Sequence, residues 1–166
     1  MTQQQVAAIV EHIERILARE FRLYQHLLAL TRQERQALIA GALDELSGAV
    51  RQKEEALEQL NVLEADRVAA LGTWSRAQGG DATLAALMDD VDDEAAARLS
   101  RLREGILAIA SQLRDFGLAN RALAQIALDR LEATRSYLLT LATPAPAYGP
   151  HQLPAPRLTL SVEVSA

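Results

Sequence analysis

Cysteine is absent from this chain of 166 residues, which excludes a disulfide framework, thiol catalysis and any thiolate metal site, and fits a reducing compartment. Aromatic residues are scarce: one Trp, three Tyr and two Phe make up 4%, too few to fill the core of an ordinary globule. Proline is missing from everything before Thr143. No run of about 18 apolar residues occurs, so no membrane-spanning helix is expected. The opening Met1 to Gln5 carries neither the basic stretch nor the following hydrophobic run of a secretory signal. Basic residues are the minority, 17 against 22 acidic, for a net charge of −5. An acidic chain is not steered toward phosphate backbones or anionic lipid, which argues against general nucleic-acid or membrane-surface binding. A cytoplasmic protein is expected.

What the chain does have is Ala and Leu set among Arg, Glu and Gln, the composition of long helices. Thr2 and Gln5 have the spacing of a capping box. Behind them Val6, Ile9, Ile13, Ile16, Leu23, Leu27 and Leu30 recur in steps of three and four, interrupted at Glu20, which predicts a first helix over about 3–38. Gly41 breaks the pattern. It restarts at Leu43, Leu46, Val50, Lys53, Leu57, Leu60, Glu64, Arg67, Leu71 and Trp74, a second helix over about 42–76. So short a turn makes the two an antiparallel, coiled-coil-like hairpin. Gln78-Gly79-Gly80-Asp81 is a breaker cluster, with Asp81 placed to cap a short helix over about 82–91. A third long helix follows over about 93–141, through Leu99, Leu102, Ile106, Ile109, Leu113, Phe116, Leu123, Leu131 and Leu138. The expected fold is all-α: an elongated helical body over 1–142, the third long helix packed alongside the hairpin, and a flexible Pro-rich tail over 143–166. Pro144, Pro146, Pro150, Pro154 and Pro156 bar helix from that tail. Its end, Leu158 to Val164, alternates like a strand.

Catalytic chemistry finds no residues to carry it. His12 and His26 lie about four turns apart on one helix, and neither they nor His151 stand in a metal-binding arrangement. The acidic run Asp89 to Glu94 lacks the glycine turn and oxygen spacing of a calcium loop and reads as a capped helix start. Gly79-Gly80 has no phosphate-loop context, and no serine has a nucleophile elbow. No enzyme activity, metal or cofactor is expected.

Two features go beyond a plain bundle. Polar residues interrupt the apolar seams: Glu20 and Glu34, Lys53, Glu64 and Arg67, and Asn120. They either fix helix register or define a surface for a partner. The third long helix also carries a second stripe, Leu107, Leu118, Leu128 and Leu139, spaced so that at about 100° per residue all four share one face. The short helix could cover part of it, leaving the rest for another chain. With neighbouring Phe116 and Leu123 this stripe is the candidate binding surface. A homodimer formed through it is the plainest rival.

The stretch Leu30 to Leu38, then Gly41, Leu43 to Leu46, Lys53, Leu57, Leu60 and Glu64 to Arg67 resembles the signature of FlgN-type flagellar export chaperones. Glu34 closes helix one, Gly41 makes the turn, Lys53 is the lone lysine of helix two, and Arg67 follows two heptads on. Asn120 and Tyr148-Gly149 fit the same pattern. The family's acidic residue after the turn glycine falls at Ala42. The resemblance implies a cytoplasmic, non-enzymatic chaperone of type III secretion. Such a protein binds the C-terminal amphipathic segments of hook–filament junction (hook-associated) proteins and delivers them to the export gate. It further implies that Tyr148 and Gly149 dock on the gate's cytoplasmic domain. A coiled-coil escort or regulator of the secretion ATPase is the alternative within the same system.

Overall fold

The structure, a computed structural model, describes residues 2–142. Of these 93% are helical, with no strand: α1 Gln3–Ala40, α2 Leu43–Gln78, α3 Leu84–Asp90 and α4 Asp93–Ala142. The protein is all-α, as its composition requires. In space the chain divides into residues 1–130 and 131–166. The second unit is described over 131–142, where the chain is helical and every side chain is exposed. The expectations for 143–166, including Tyr148, Gly149 and the strand-like 158–164, lie outside the described residues.

Local chemistry sets the helix ends. Thr2 Oγ1 accepts from the Gln5 N–H at 3.3 Å, and Gln5 Oε1 accepts from the Thr2 N–H at 2.9 Å, closing the capping box. Gly41 and Gly79 end α1 and α2 in the left-handed region, with φ of 68° and 79°, where a Cβ would be strained. Ala42 caps α2 without a side-chain hydrogen bond, and Asp44 and Glu45 in the first turn meet the macrodipole instead. The cap of α3 is Thr83, whose hydroxyl accepts from the Ala86 N–H at 3.2 Å; it is not Asp81, whose carbonyl is taken up in the preceding turn. Asp92 Oδ1 accepts from the Ala95 N–H at 2.8 Å, so the acidic run does open a helix.

Helices α1 and α2 form the hairpin, their backbones closely apposed. On α1 the expected seam is inside, with Ile13, Ile16, Leu27 and Leu30 buried. On α2 half of it holds, with Leu60, Leu71 and Trp74 buried and Leu46, Lys53 and Arg67 part-buried, and half is displaced by one residue. Leu43, Val50, Leu57 and Glu64 are exposed, and the buried face runs through Ala49, Ala56, Leu60, Leu63, Leu71 and Trp74. Alanine's single methyl lets two backbones approach where Val or Leu would hold them apart, so position outweighs hydrophobicity there. One core gathers Val10, Ile13, Leu17, Leu71, Trp74, Leu87, Ala95 and Leu99. A second, around Leu27, Ala56 and Leu60, is flanked by Leu113 of α4.

Helix α3 serves the first core, inserting Leu87 fully. Asp90 fastens it there by accepting from Trp74 Nε1 at 3.3 Å and Gln78 Nε2 at 3.1 Å. Lying against Trp74, α3 leaves Leu107, Leu118 and Leu128 uncovered, each more than half exposed. Helix α4 follows its expected seam through Leu99, Leu102, Ile106, Ile109, Leu113, Phe116 and Leu123, but burial thins along it. Leu99 is fully buried, the later members are part-buried, and Leu131 and Leu138 are exposed because the seam ends near Ala124. Close packing on α1 is made possible by Gly105, where an added Cβ would lie 2.7 Å from the Phe21 ring.

That geometry separates two helical glycines. Gly72 has open space where a methyl group would stand, so Gly72→Ala should raise stability by about 0.5–1 kcal/mol through the entropy of the unfolded chain. Gly105→Ala should gain nothing or lose stability, because the methyl displaces Phe21. Urea denaturation of the two variants measures the contrast.

Candidate functional site

Three of the polar seam residues meet at one carboxylate. Lys53 Nζ of α2 donates to Glu34 Oε2 of α1 at 2.8 Å, and Asn120 Nδ2 of α4 donates to the same oxygen at 2.8 Å. Asn120 Nδ2 also donates to the Thr31 carbonyl at 2.8 Å, while the buried Thr31 hydroxyl returns to the Leu27 carbonyl. These two acceptors fix the amide's orientation, and Asn120 Oδ1 is left buried without a partner among the described residues. A buried, unsatisfied carbonyl is a cost that an apolar residue there would avoid, so the amide specifies where α4 sits rather than adding stability.

Arg67 and Glu20 form the second cross-link of the hairpin. Arg67 Nε donates to Glu20 Oε1 at 3.1 Å, and Glu20 is almost completely buried. A third, Arg98 to Glu14 at 3.1 Å, ties α4 to α1. Its hydrogen bond to Glu14, followed by the coulombic attraction of that carboxylate, raises the Arg98 pKa above its ordinary value. Four of the residues singled out from sequence, Glu34, Lys53, Arg67 and Asn120, are thus accounted for within the fold, and Gly41 makes the turn.

Beside the Glu34 carboxylate lies an open groove that the sequence reading missed. Leu38 of α1 and Leu46 and Val50 of α2 line one side. Leu113, Gly117, Leu118 and Ala124 of α4 line the other, with Asn120 between. Leu118, 61% exposed, therefore belongs both to the outer stripe of α4 and to this groove. The signal was present: Val50 and Leu57 on α2 repeat beside the Ala49 and Ala56 that are buried, giving that helix two apolar faces rather than one.

The expected binding residues sort into two groups. Leu107, Leu118 and Leu128 are exposed on one face of α4, over a length of about 30 Å. Phe116 and Leu123 are part-buried, and Phe116 carries the Arg32 guanidinium 5.4 Å from its ring centroid, a cation–π contact. Phe116 thereby ties α4 to α1. Leu139, exposed, lies in the second unit. Among the described residues no cluster of three His, Asp or Glu could hold a metal, and no helix is long and apolar enough to cross a membrane.

Compared with known proteins, the chain matches the family described as FlgN protein over residues 3–155. No curated protein and no solved structure matches it.

The Arg67 and Arg98 cross-links differ in what is left when the cation goes. Arg67→Ala strands the buried Glu20 carboxylate and should cost about 2–4 kcal/mol, whereas Arg98→Ala exposes Glu14 to water and should cost less than about 1 kcal/mol. Chemical denaturation of both variants tests the order, and a larger loss for Arg98→Ala would contradict it.

Proposed function

This chain belongs to the FlgN family of flagellar export chaperones, and from that membership we propose that it captures the C-terminal amphipathic segments of hook–filament junction proteins. It holds them in the cytoplasm, prevents their early assembly and hands them to the type III export gate. The observation that supports this most directly is the uncovered apolar face of α4, Leu107, Leu118 and Leu128, with the adjoining groove at Leu118.

The physical basis is helix-in-groove recognition. An amphipathic cargo helix lays its own apolar residues against α4 and the Val50 side of the groove. Burying one leucine is worth about 1.5–3 kcal/mol before the cost of ordering the cargo is subtracted. The chaperone acts by occupying an assembly surface, so no catalytic group is required of it. Delivery belongs to the tail. Tyr148 is an aromatic anchor for the gate's cytoplasmic domain, and Gly149 leaves the backbone free to approach it.

Leu118→Asp and Leu128→Asp should each weaken binding of a junction protein's C-terminal segment by tenfold or more. Being surface changes, they should shift stability by no more than about 0.5 kcal/mol. Isothermal titration and thermal melting read the two quantities; unchanged affinity in both variants would place the cargo elsewhere. Sedimentation separates the homodimer reading, which requires a tight dimer that Leu118→Asp dissociates.

Deleting residues 144–166, or Tyr148→Ala, should leave cargo affinity and stability unchanged while lowering binding to the gate's cytoplasmic domain. Equal gate binding with and without the tail refutes that role.

A further inference from the structure

Five basic or imidazole side chains stand in line on α1. His12, Arg15, Arg19, Arg22 and His26 follow one another in steps of three and four, and all are exposed. At about 100° per residue the row is centred roughly a third of a turn from Glu14, Phe21 and Arg32, the side chains that face α4. They border a groove between α1 and α2 on the side of the hairpin away from α4, and no residue of α4 lines it. The floor is apolar: Ile16, Leu23 and Leu63, with Val62 beside them 59% exposed.

This stripe is out of keeping with the chain as a whole, whose net charge is −5. Like charges at i, i+3 and i, i+4 repel on a helix surface, and the usual remedy is an interleaved acid. Here no such pair forms. Among the described residues no carboxylate lies within 4 Å of the Arg15, Arg19 or Arg22 guanidinium groups, which contrasts with Arg67 and Arg98. Asp66, the acid among the groove's lining residues, forms no ion pair with them. Arg15 Nε donates to the Glu11 backbone carbonyl, an uncharged partner.

We propose that this groove is a second docking surface, distinct from the leucine face of α4, and that it takes an acidic amphipathic helix of a partner protein. The charge decides the occupant. An apolar floor accepts Leu-like side chains at helical spacing, and the arginine row calls for carboxylates that recur every three or four residues along one flank of the incoming helix. Arg15 to Arg22 spans about 10 Å, so a partner helix of about three turns engages all three guanidinium groups. Because the groove and the α4 face are on different sides of the hairpin, occupancy of one leaves the other open, and the proposal stands whether or not cargo binds α4.

The test uses the full-length protein and a labelled helical peptide of about five turns, with a leucine stripe flanked by glutamates, read by fluorescence anisotropy. A matched peptide with lysines in place of the glutamates is the control. The acidic peptide should bind, and raised salt should weaken it. The double variant Arg19→Glu, Arg22→Glu should lose tenfold or more in affinity, Arg19→Gln, Arg22→Gln should lose an intermediate amount, and Leu118→Asp should change nothing. Circular dichroism checks that helicity is kept, and the glutamine pair decides the matter if the glutamate pair loses structure. Equal binding of the lysine peptide, indifference to both arginine pairs, or loss on Leu118→Asp alone overturns the proposal. So does a wild-type dimer in sedimentation that the arginine substitutions dissociate, since the occupant is then a second copy.

Discussion

The register between α1 and α2 rests on two ion pairs, and the rest of the molecule is built on that register. Glu20 pairs with Arg67 and Glu34 with Lys53. The two glutamates are two heptads apart on α1, and their partners are two heptads apart on α2, so both pairs mark the same antiparallel alignment. A Leu/Ala seam alone would not choose it. A slip of one heptad keeps apolar residues opposite apolar residues, at small cost in burial. It leaves Glu20 buried without a cation, and that is the penalty the hairpin cannot absorb. The same Glu34 oxygen receives Asn120, so the feature that aligns the hairpin also sets the position of α4.

That arrangement explains why α4 has apolar surface to spare. Side chains of α4 contribute to the core at its start, through Ala95 and Leu99. Further along, its grip passes to part-buried Leu113 and Phe116 and to the Asn120 amide. Leu107, Leu118 and Leu128 play no part in this. The body therefore folds without the stripe, which is the condition for a surface that another chain can occupy and leave.

Much of the fold was legible in the sequence because long helices announce themselves by period and by punctuation. Glycines at 41 and 79, the Thr2 capping box and the absence of proline placed the ends to within two residues. Half of the α2 face, Leu60, Leu71 and Trp74, lies inside as its spacing predicts; the other half does not for a physical reason: pattern reading follows the large residues, Val50 and Leu57, while close helix packing rewards the small ones, Ala49 and Ala56. The position of α3 was not legible either. Its seven residues fit equally well over α4 or against Trp74, and what decides between them is the Asp90 carboxylate, which accepts from Trp74 and Gln78. The second stripe of α4 could be read, since its spacing alone put four leucines on one face. The groove at Leu118 was legible only in part: Val50 beside buried Ala49 marks a second apolar face on α2, but the groove itself exists only once three helices are in place.

The spacing of the stripe also bears on which partners it can take. Exposed leucines on a soluble protein invite nonspecific association when they form one continuous patch. Here Leu107, Leu118 and Leu128 stand about 15 Å apart along α4. Arg103 and Glu104 flank the first, and Arg114, Asp115 and Arg121 the second. A small or irregular apolar object reaches one member of the stripe at a time and forgoes the gain from the other two. A helix laid lengthwise reaches all three, so under the proposed function the stripe favours a partner that is long, helical and apolar on one side. Selectivity for shape thus follows from the intervals between residues that are individually unselective.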